Sequence, residues 1–288
     1  MHNRKMLSTV ALVASLALTA GGCGDDDPGG TQPGRTTFAA GSTMERLQKA
    51  GKVKVGTKFD QPLFGLKAVS GDVEGFDVEI AKIIASELDI AESGIEFVES
   101  ISKNREDYII NGTADFIVAT YTINDTRKEK VAFAGPYYVA GQDIMVKKDN
   151  TTIKGKADLA GKKVCSVSGS TPATRVKEEV PTAQLTLFGT YTECVEAMRN
   201  GSVEATTTDN VILLGLIEKA PEEFKLVNAP FSVEPYGIGV KKADTDFRNF
   251  INDVLEKIYT DGRYKTAYDQ TLGKVQAAMP TPPAVNRY

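Results

Sequence analysis

Residues 75–88 read G-F-D-V-E-I-A-K-I-I-A-S-E-L, and this stretch decides how the chain folds. From Asp77 onward its apolar residues recur every three or four positions, which is the spacing of a helix with one buried face. That face is formed by Ile80, Ile83, Ile84 and Leu88. The stretch therefore predicts an amphipathic helix, and the fold class follows from what flanks it.

Short apolar strands alternate with helical segments on both sides of this stretch. The predicted strands are residues 53–56, 95–98, 115–119, 163–167, 184–188 and 203–207. A second amphipathic helix is predicted to end at Gly262, with an apolar face formed by Phe247, Phe250, Ile251, Val254, Leu255 and Ile258. This alternation favours α/β units on mostly parallel sheets. In such sheets ligands bind beyond the carboxyl ends of the strands, so the loops after strands are the candidate sites.

Four loops that follow predicted strands carry polar or aromatic side chains suited to binding. They are residues 56–62 with Lys58 and Phe59; 120–127 with Thr120, Thr122 and Arg127; 168–172 with Gly169, Ser170 and Thr171; and 207–210 with Asp209. In the third loop, Thr171 is the expected helix cap and Pro172 the first helical residue. Taken alone, each loop has an ordinary structural explanation, such as a surface ion pair or a cap.

Together, the four loops match a free α-amino acid. The planar guanidinium of Arg127 can bind the α-carboxylate through two parallel hydrogen bonds, and the Thr171 amide at a helix start can assist it. Asp209 can accept the α-ammonium. The chain contains neither GxxxxGK[ST] nor GxGxxG, so phosphate or dinucleotide binding has no support.

The N-terminus has the pattern of an export signal. Basic Arg4 and Lys5 precede an apolar run over residues 6–20, which is too short to span a bilayer, and T-A-G-G stands directly before Cys23. This resembles a bacterial lipobox and predicts a signal peptide over residues 1–22, with Cys23 lipidated. The alternative is an ordinary secretory signal. Residues 23–40 are predicted to be a flexible tether, with the protein anchored at the outer face of the cytoplasmic membrane.

Charge and histidine content exclude several classes of function. Without Arg4 and Lys5 of the signal, 32 basic residues face 38 acidic ones, a net charge of −6 that gives no support for nucleic-acid binding. The only histidine, His2, lies in the predicted signal. The mature chain therefore has no Ser-His-Asp triad and lacks the ligand for most zinc sites. We predict no enzyme activity, no metal and no cofactor.

Two cysteines, Cys165 and Cys194, remain after Cys23. An even remainder in an oxidising compartment indicates a disulfide, with two buried free thiols as the alternative. No C-x-x-C spacing or neighbouring base makes either of them a catalytic candidate.

The chain resembles the solute-binding proteins of polar amino-acid ABC importers (family 3) from about Met44 to Leu272. Residues 75–88 fit that family's signature, and T-I-N-D-T-R at 122–127 resembles its hydroxyl-apolar-Thr-x-x-Arg motif, with Asn124 replacing the usual Thr. The greatest similarity is to glutamate/aspartate-type receptors, through G-T-K-F-D-Q-P, V-A-T-Y-T-I-N, F-A-G-P-Y-Y-V-A-G-Q-D and V-C-S-V-S-G-S-T-P.

This resemblance implies a two-lobe periplasmic-binding-protein-like fold of type II. Each lobe would be a mostly parallel sheet flanked by helices, with the ligand in the interlobe cleft. Lobe 1 would comprise residues 41–141 and 237–278, lobe 2 residues 142–236, and a C-terminal tail residues 279–288. The crossings would lie near 141–144 and 234–237.

The resemblance also implies roles for individual residues. Thr122, Arg127, Thr171 and Asp209 would bind the amino-acid backbone, and Phe59 would pack over the ligand's aliphatic part. A Cys165–Cys194 bridge is implied as well. Since a desolvated carboxylate needs a cationic partner, Lys58 and Arg105 are the candidates for an acidic side chain. Tyr236 is a candidate lining residue, with packing as the alternative.

The predicted function is that of an extracytoplasmic receptor for glutamate, with aspartate next. The receptor would be a monomer that delivers its ligand to a permease coupled to a cytoplasmic ATPase. Three alternatives remain: a receptor for glutamine, asparagine or another polar amino acid, a small-acid dehydratase on the same scaffold, or a sensory module.

Overall fold

A computed structural model describes residues 36–276 and 278–288. The predicted signal peptide and Cys23 lie outside the described residues, as does the predicted tether up to residue 35. Thr36–Tyr288 forms one unit by contact density. Among the described residues, no helix is both long and apolar enough to cross a bilayer.

The described residues alternate between strands and helices. The strands are β1 Val53–Thr57, β2 Asp60–Gln61, β3 Gly65–Lys67, β4 Val73–Glu74, β5 Ile95–Glu99, β6 Phe116–Ile117, β7 Val131–Ala140, β8 Gln142–Lys147, β9 Lys163–Val167, β10 Gln184–Phe188, β11 Ala205–Asp209, β12 Phe224–Leu226 and β13 Glu234–Lys241. The helices are α1 Thr43–Ala50, α2 Phe76–Glu87, α3 Arg105–Asn111, α4 Asp125–Lys128, α5 Thr171–Glu179, α6 Tyr191–Arg199, α7 Asn210–Glu218, α8 Thr245–Asp261 and α9 Arg263–Gln270. Short 3₁₀ turns lie at Glu92–Gly94, Ser102–Asn104, Lys156–Leu159 and Leu272–Lys274.

Two five-stranded sheets have matching topologies. The first sheet has the order β5-β1-β6-β13-β7 and the second β10-β9-β11-β8-β12. In the first, β13 runs antiparallel to both neighbours, and in the second β8 does the same. In each sheet the other four strands share one direction. The prediction of two α/β lobes with mostly parallel sheets is confirmed.

The chain crosses between the two sheets twice, at adjacent places. It leaves β7 and enters β8 through Gly141, and it returns between β12 and β13. Glu234 already pairs with Ala140 of β7, three residues before the predicted boundary at 237. The Phe231 amide donates to the Gln142 carbonyl at 2.9 Å, so the crossing segments run side by side.

Helix α2 forms where residues 75–88 predict it. Ile80, Ile84 and Leu88 are fully buried in the lobe-1 core and Ile83 is partly buried against it. Gly75 has φ of 131°, and a Cβ there would lie 2.3 Å from the Phe64 carbonyl. Only glycine permits this close approach, which places the start of α2 against the loop after β2.

The predicted bridge between Cys165 and Cys194 is present. It joins β9 to α6 inside the buried cluster of lobe 2. Closing a loop with a sequence separation of 29 stabilises the fold by about 3.5 kcal/mol on the chain-entropy account.

Residues 279–288 pack along lobe 1. Met279 and Val285 contact its core. The Asn286 amide donates to the Gly135 carbonyl, and the Phe133 amide donates to the Tyr288 hydroxyl, both at 2.8 Å. The segment therefore covers the outer edge of β7, which the sheet leaves unpaired.

Candidate functional site

A small cavity of about 10 Å³, room for about one water molecule, lies between the two lobes. Seven predicted site residues line it: Arg105, Thr120, Thr122, Arg127, Ser170, Thr171 and Asp209. The first four belong to lobe 1 and the last three to lobe 2. The loops chosen from the sequence therefore do meet, and the cavity wall is strongly polar.

Arg127 is held on the lobe-1 side at the start of α4. Asn124 accepts a hydrogen bond from the Arg127 amide at 2.9 Å, so the asparagine that departs from the family motif serves as the helix cap. The guanidinium donates to the Thr122 carbonyl at 2.6 Å and, across the cleft, to the Gly169 carbonyl at 3.1 Å. Burial, then the nearby Arg105, lowers the pKa of Arg127 to about 10, so the group remains a cation at neutral pH.

The start of α5 forms the facing wall on lobe 2. Ser170, rather than Thr171, caps this helix, because its hydroxyl accepts from the Ala173 amide at 3.1 Å. Thr171 is the first helical residue. Its backbone amide therefore lies in the first turn, where N–H groups have no acceptor within the helix. Gly169 does not line the cavity, but a Cβ there would lie 2.7 Å from Lys103 Cα on lobe 1.

Asp209 contributes a buried carboxylate at the end of β11. Its Oδ2 accepts from the Tyr236 hydroxyl at 2.6 Å, while Oδ1 has no hydrogen-bond partner among the described residues. Burial, followed by the charge of Glu234, raises the pKa of Asp209 to about 7. A buried carboxylate oxygen without a donor at a cavity wall is suited to accept an ammonium group.

Tyr236 does not line the cavity. Its side chain is fully buried beside Phe64 and Tyr138 and contacts the site through Asp209, while its backbone pairs with that of Thr122. The hydroxyl fixes one carboxylate oxygen and leaves the other directed elsewhere. The structure agrees with the packing alternative for Tyr236 and adds a contact that the sequence did not predict, the hydrogen bond to Asp209.

Thr120 occupies a strained position that α2 holds in place. Its φ is +44°, an uncommon value for a β-branched residue. The Thr120 amide donates to Asp77 Oδ2 at 2.8 Å, and Tyr137 donates to the other oxygen at 2.5 Å. The Thr120 hydroxyl lies 2.9 Å from Gln61 Oε1. The acidic residue of the opening stretch thus anchors a site loop.

A second cationic region adjoins the cavity on lobe 1. Arg105 is 2% exposed and donates to the Ser102 and Ala119 carbonyls. Lys58 donates to the Ser102 hydroxyl at 2.8 Å, and burial, then Arg105, lowers its pKa to about 7. Lys58 stands behind the wall and Ser102 lines it, so the lysine is one hydroxyl away from the cavity.

The structure places Phe59 away from this cavity. Its ring lies in a separate surface groove on lobe 1 with Phe97, and Lys67 Nζ lies 5.1 Å from the ring centroid. Lys58 is buried and directed towards Ser102, whereas Phe59 lies at a bend and lines that groove. The predicted contact between Phe59 and the ligand's aliphatic part stays a prediction.

Several residues that line the cavity were not predicted from the sequence. They include Gln61, Ser102, Tyr191 and Thr208. Gln61 lies within the first loop, and Ser102 lies within the segment 101–105, so both were near chosen residues. Tyr191 lies at the cavity because its amide donates to Asp60 of the opposite lobe at 2.8 Å. No local sequence pattern predicts such a contact between distant segments. Within the described residues, no cluster of three potential metal ligands occurs.

Comparison with known families gives a match across most of the chain. Residues 53–274 match the profile of the Bacterial extracellular solute-binding proteins, family 3. The match includes both sheets and every cavity-lining residue named above.

Individual relatives and solved structures are similar over nearly their full length. The chain is 36% identical to the glutamate-binding protein GluB of Corynebacterium efficiens, covering 95% of this chain and 94% of the relative. It is 38% identical to the ABC transporter glutamine-binding protein GlnH of Bacillus subtilis, covering 92% and 96%. An ancestral arginine-binding protein bound to glutamine superposes with a TM-score of 0.73 at 36% identity, covering 77% of this chain and 98% of that one.

Proposed function

The chain belongs to family 3 of the bacterial extracellular solute-binding proteins, and from this premise we propose that it captures free glutamate, with aspartate next, for import through an ABC permease. Family membership makes it an extracellular binding protein rather than an enzyme. The ligand and the permease partner are the parts we propose.

One observation carries the proposal of an amino-acid ligand. The cavity combines a charged guanidinium at Arg127, a first-turn amide at Thr171 and an Asp209 carboxylate oxygen to which no described residue donates. In the proposed complex, Arg127 and the Thr171 amide bind the α-carboxylate, and Asp209 accepts the α-ammonium. Thr122 and Thr120 supply further hydrogen-bonding groups. This set complements the charges of a zwitterion.

The choice of glutamate depends on the second cationic region. Arg105 lines the cavity and Lys58 reaches Ser102 behind it. In the complex, these groups would face the side-chain carboxylate, whose burial without a cation would be strongly unfavourable. An amide ligand needs no such charge, so two buried cations favour an acidic ligand.

Lobe closure is the proposed mechanism of capture. Arg127 belongs to lobe 1, whereas Thr171 and Asp209 belong to lobe 2, so a bound amino acid contacts both lobes only when they are together. A ligand shifts a conformational equilibrium by its difference in affinity between the two states. Micromolar binding requires about 8 kcal/mol, and the charged contacts at both ends of the ligand would supply it.

Glutamine is the alternative ligand, because relatives of similar identity include both glutamate- and glutamine-binding proteins. Isothermal titration calorimetry with glutamate, aspartate, glutamine and arginine distinguishes the two. We expect the largest affinity for glutamate. Heat with glutamine and none with either acidic amino acid would refute the acidic assignment while leaving the family unchanged.

Anchoring through Cys23 is proposed as well, from the sequence pattern alone. A lipidated Cys23 followed by a flexible tether would hold the receptor near the permease at high effective concentration. Labelled palmitate supplied to cells should be incorporated into the native protein and not into Cys23→Ala. Absence of label in the native protein would exclude the anchor.

A further inference from the structure

Tyr121 contacts both arginines of the cavity without lining the cavity itself. The Arg105 guanidinium carbon lies 4.1 Å from the centre of the Tyr121 ring, and that of Arg127 lies 4.9 Å from it. The side chain is fully buried. One aromatic ring therefore contacts both guanidiniums. In the proposed function, Arg127 binds the α-carboxylate of the ligand and Arg105 faces its side-chain carboxylate.

The ring is held firmly by the structure around it. Phe133 of β7 packs edge-on with ring centroids 4.8 Å apart. On β13, a Cβ at Gly239 would lie 2.9 Å from Tyr121 Cε1, so glycine there makes room for the ring. Because β7 and β13 are paired strands, the aromatic face is fixed to the sheet.

The ring also reduces the cost of placing two like charges together. Burial, and then the nearby Arg105, lower the pKa of Arg127, as expected for two buried cations that repel each other. The face of an aromatic ring carries negative charge density and attracts a guanidinium. Glu106, at 3.5 Å from Arg127 Nε, offers partial neutralisation on one side only. The ring is the group that both guanidiniums share.

The contacts that Tyr121 makes with both arginines come from its aromatic face. Its hydroxyl is buried and completes no hydrogen bond with a described residue. Burial and, to a smaller extent, the Glu106 carboxylate raise its pKa, so the hydroxyl stays neutral. The face and the hydroxyl can therefore be tested separately.

We propose that Tyr121 is a positioning residue whose ring holds Arg105 and Arg127 at the spacing that a dicarboxylic amino acid requires, and thereby sets the preference for acidic over amide ligands. The inference rests on the proposed function, since it assumes that both arginines face carboxylates. It concerns selectivity, which packing alone does not control.

The test is the ratio of glutamate affinity to glutamine affinity, measured by calorimetry at pH 7 on Tyr121→Phe and Tyr121→Leu. Phe keeps the ring, so we expect a ratio within about twofold of the native protein. Leu removes it, and we expect the ratio to fall about tenfold, which is within the range of a desolvated cation–π contact. Phe116→Leu is the matched control, because Phe116 is a fully buried lobe-1 aromatic that packs on Phe247.

Each outcome has a defined meaning. If Tyr121→Leu lowers both affinities by the same factor as Phe116→Leu, Tyr121 only packs and the inference is wrong. If the ratio of glutamate to glutamine affinity falls equally in Tyr121→Phe, the effect belongs to the hydroxyl, and the inference about the ring is wrong. Should Tyr121→Leu fail to fold, Tyr121→Met carries the same expectation. The proposed function is tested separately, by titrating the native protein with glutamate. If the native protein does not bind glutamate, the proposed function is wrong whatever the variants do.

Discussion

Burial acts in opposite senses on two charged residues near the cavity. It raises the pKa of Asp209 to about 7 and lowers the pKa of Lys58 to about 7. Near neutrality, each residue is close to losing the charge that the proposed ligand needs. A bound ammonium would lower the pKa of Asp209 again, and a bound carboxylate would raise that of Lys58.

This pair predicts a pH profile that depends on the ligand. Below pH 7 Asp209 takes up a proton, so the affinity for any amino acid should fall towards tenfold per pH unit. Above pH 7 Lys58 loses its proton, so the affinity for glutamate should fall while that for glutamine stays level. Titrations from pH 5.5 to 8.5 with both ligands measure this. Lys58→Met should abolish the alkaline decline, and identical profiles for the two ligands would contradict the assignment of Lys58.

Arg127 is predicted to be required for every amino-acid ligand. Removing one member of a buried charge pair typically costs 2–5 kcal/mol, so Arg127→Ala should weaken glutamate and glutamine at least about 30-fold. Lys130, a nearby exposed residue, gives the control variant Lys130→Ala, which should bind normally. Normal binding by Arg127→Ala in calorimetry would show that the carboxylate site has been misplaced.

At the level of elements, α2 and the loop after β6 act together through Asp77. Burial raises the pKa of this carboxyl to about 7, yet the group accepts hydrogen bonds from both Thr120 and Tyr137. The contact compensates for the unfavourable backbone conformation of Thr120. The opening stretch of sequence therefore contributes to the site as well as to the core.

Asp77→Ala and Asp77→Asn should separate these two contributions. Alanine removes both hydrogen bonds and leaves two buried donors unpaired, so we expect a melting temperature about 5 °C lower or more. Glutamate affinity should fall with it, because Thr120 is no longer held. Asparagine retains an acceptor for the Thr120 amide and should keep most of the binding. Thermal unfolding and calorimetry on both variants measure the effect, and equal loss in the two would refute the role of the Thr120 contact.

Elements were predictable where the local sequence and the tertiary structure agree. Strands β9 and β10 have the predicted bounds because each is a five-residue segment in which apolar residues predominate, between polar segments. β7 and β13 were not predicted as strands: β7 contains Gly135 and Pro136, and β13 contains Pro235, residues that usually interrupt strands. Their mutual pairing over eight to ten residues overrides that preference.

The candidate site was predictable to the same extent and for the same reason. Thr171 and Asp209 lie at or just beyond the carboxyl ends of β9 and β11, which are parallel neighbours in one sheet, so their proximity was predictable. Arg127 lies on the other lobe, and the packing of the lobes brings it to them. The bond from Tyr236 to Asp209 and the outward position of Phe59 depend on how distant segments pack. No pattern within one loop contains that information.

For the whole molecule, one hydrogen bond joins the lobes directly at a residue that also lines the cavity, Tyr191. Asp60 of lobe 1 accepts from the Tyr191 amide at the start of α6 on lobe 2. Asp60 is 9% exposed, so this is a largely desolvated contact at a helix start, where a negative charge is favourable. It stabilises the arrangement in which the lobes are together.

Asp60→Ala should therefore weaken all ligands without changing their order. A hydrogen bond to a charged group contributes about 1.5–3 kcal/mol, so we expect at least about a tenfold loss for glutamate and glutamine alike. Calorimetry gives the affinities, and small-angle scattering gives the fraction of compact molecules. Asp72→Ala, at an exposed turn of the same lobe, is the control. A changed ratio between the two ligands would mean that Asp60 acts on the cavity itself.

The side-by-side crossings of the chain have a practical consequence. Two adjacent chain segments that join two lobes favour bending about the line between them, so the position of one lobe relative to the other can be described mainly by a single angle. A pair of fluorophores, one on each lobe, would then report that angle through energy transfer. The protein could therefore serve as a fluorescent sensor of its ligand, and substitution of Asp60 would shift the concentration range of the sensor without changing its selectivity.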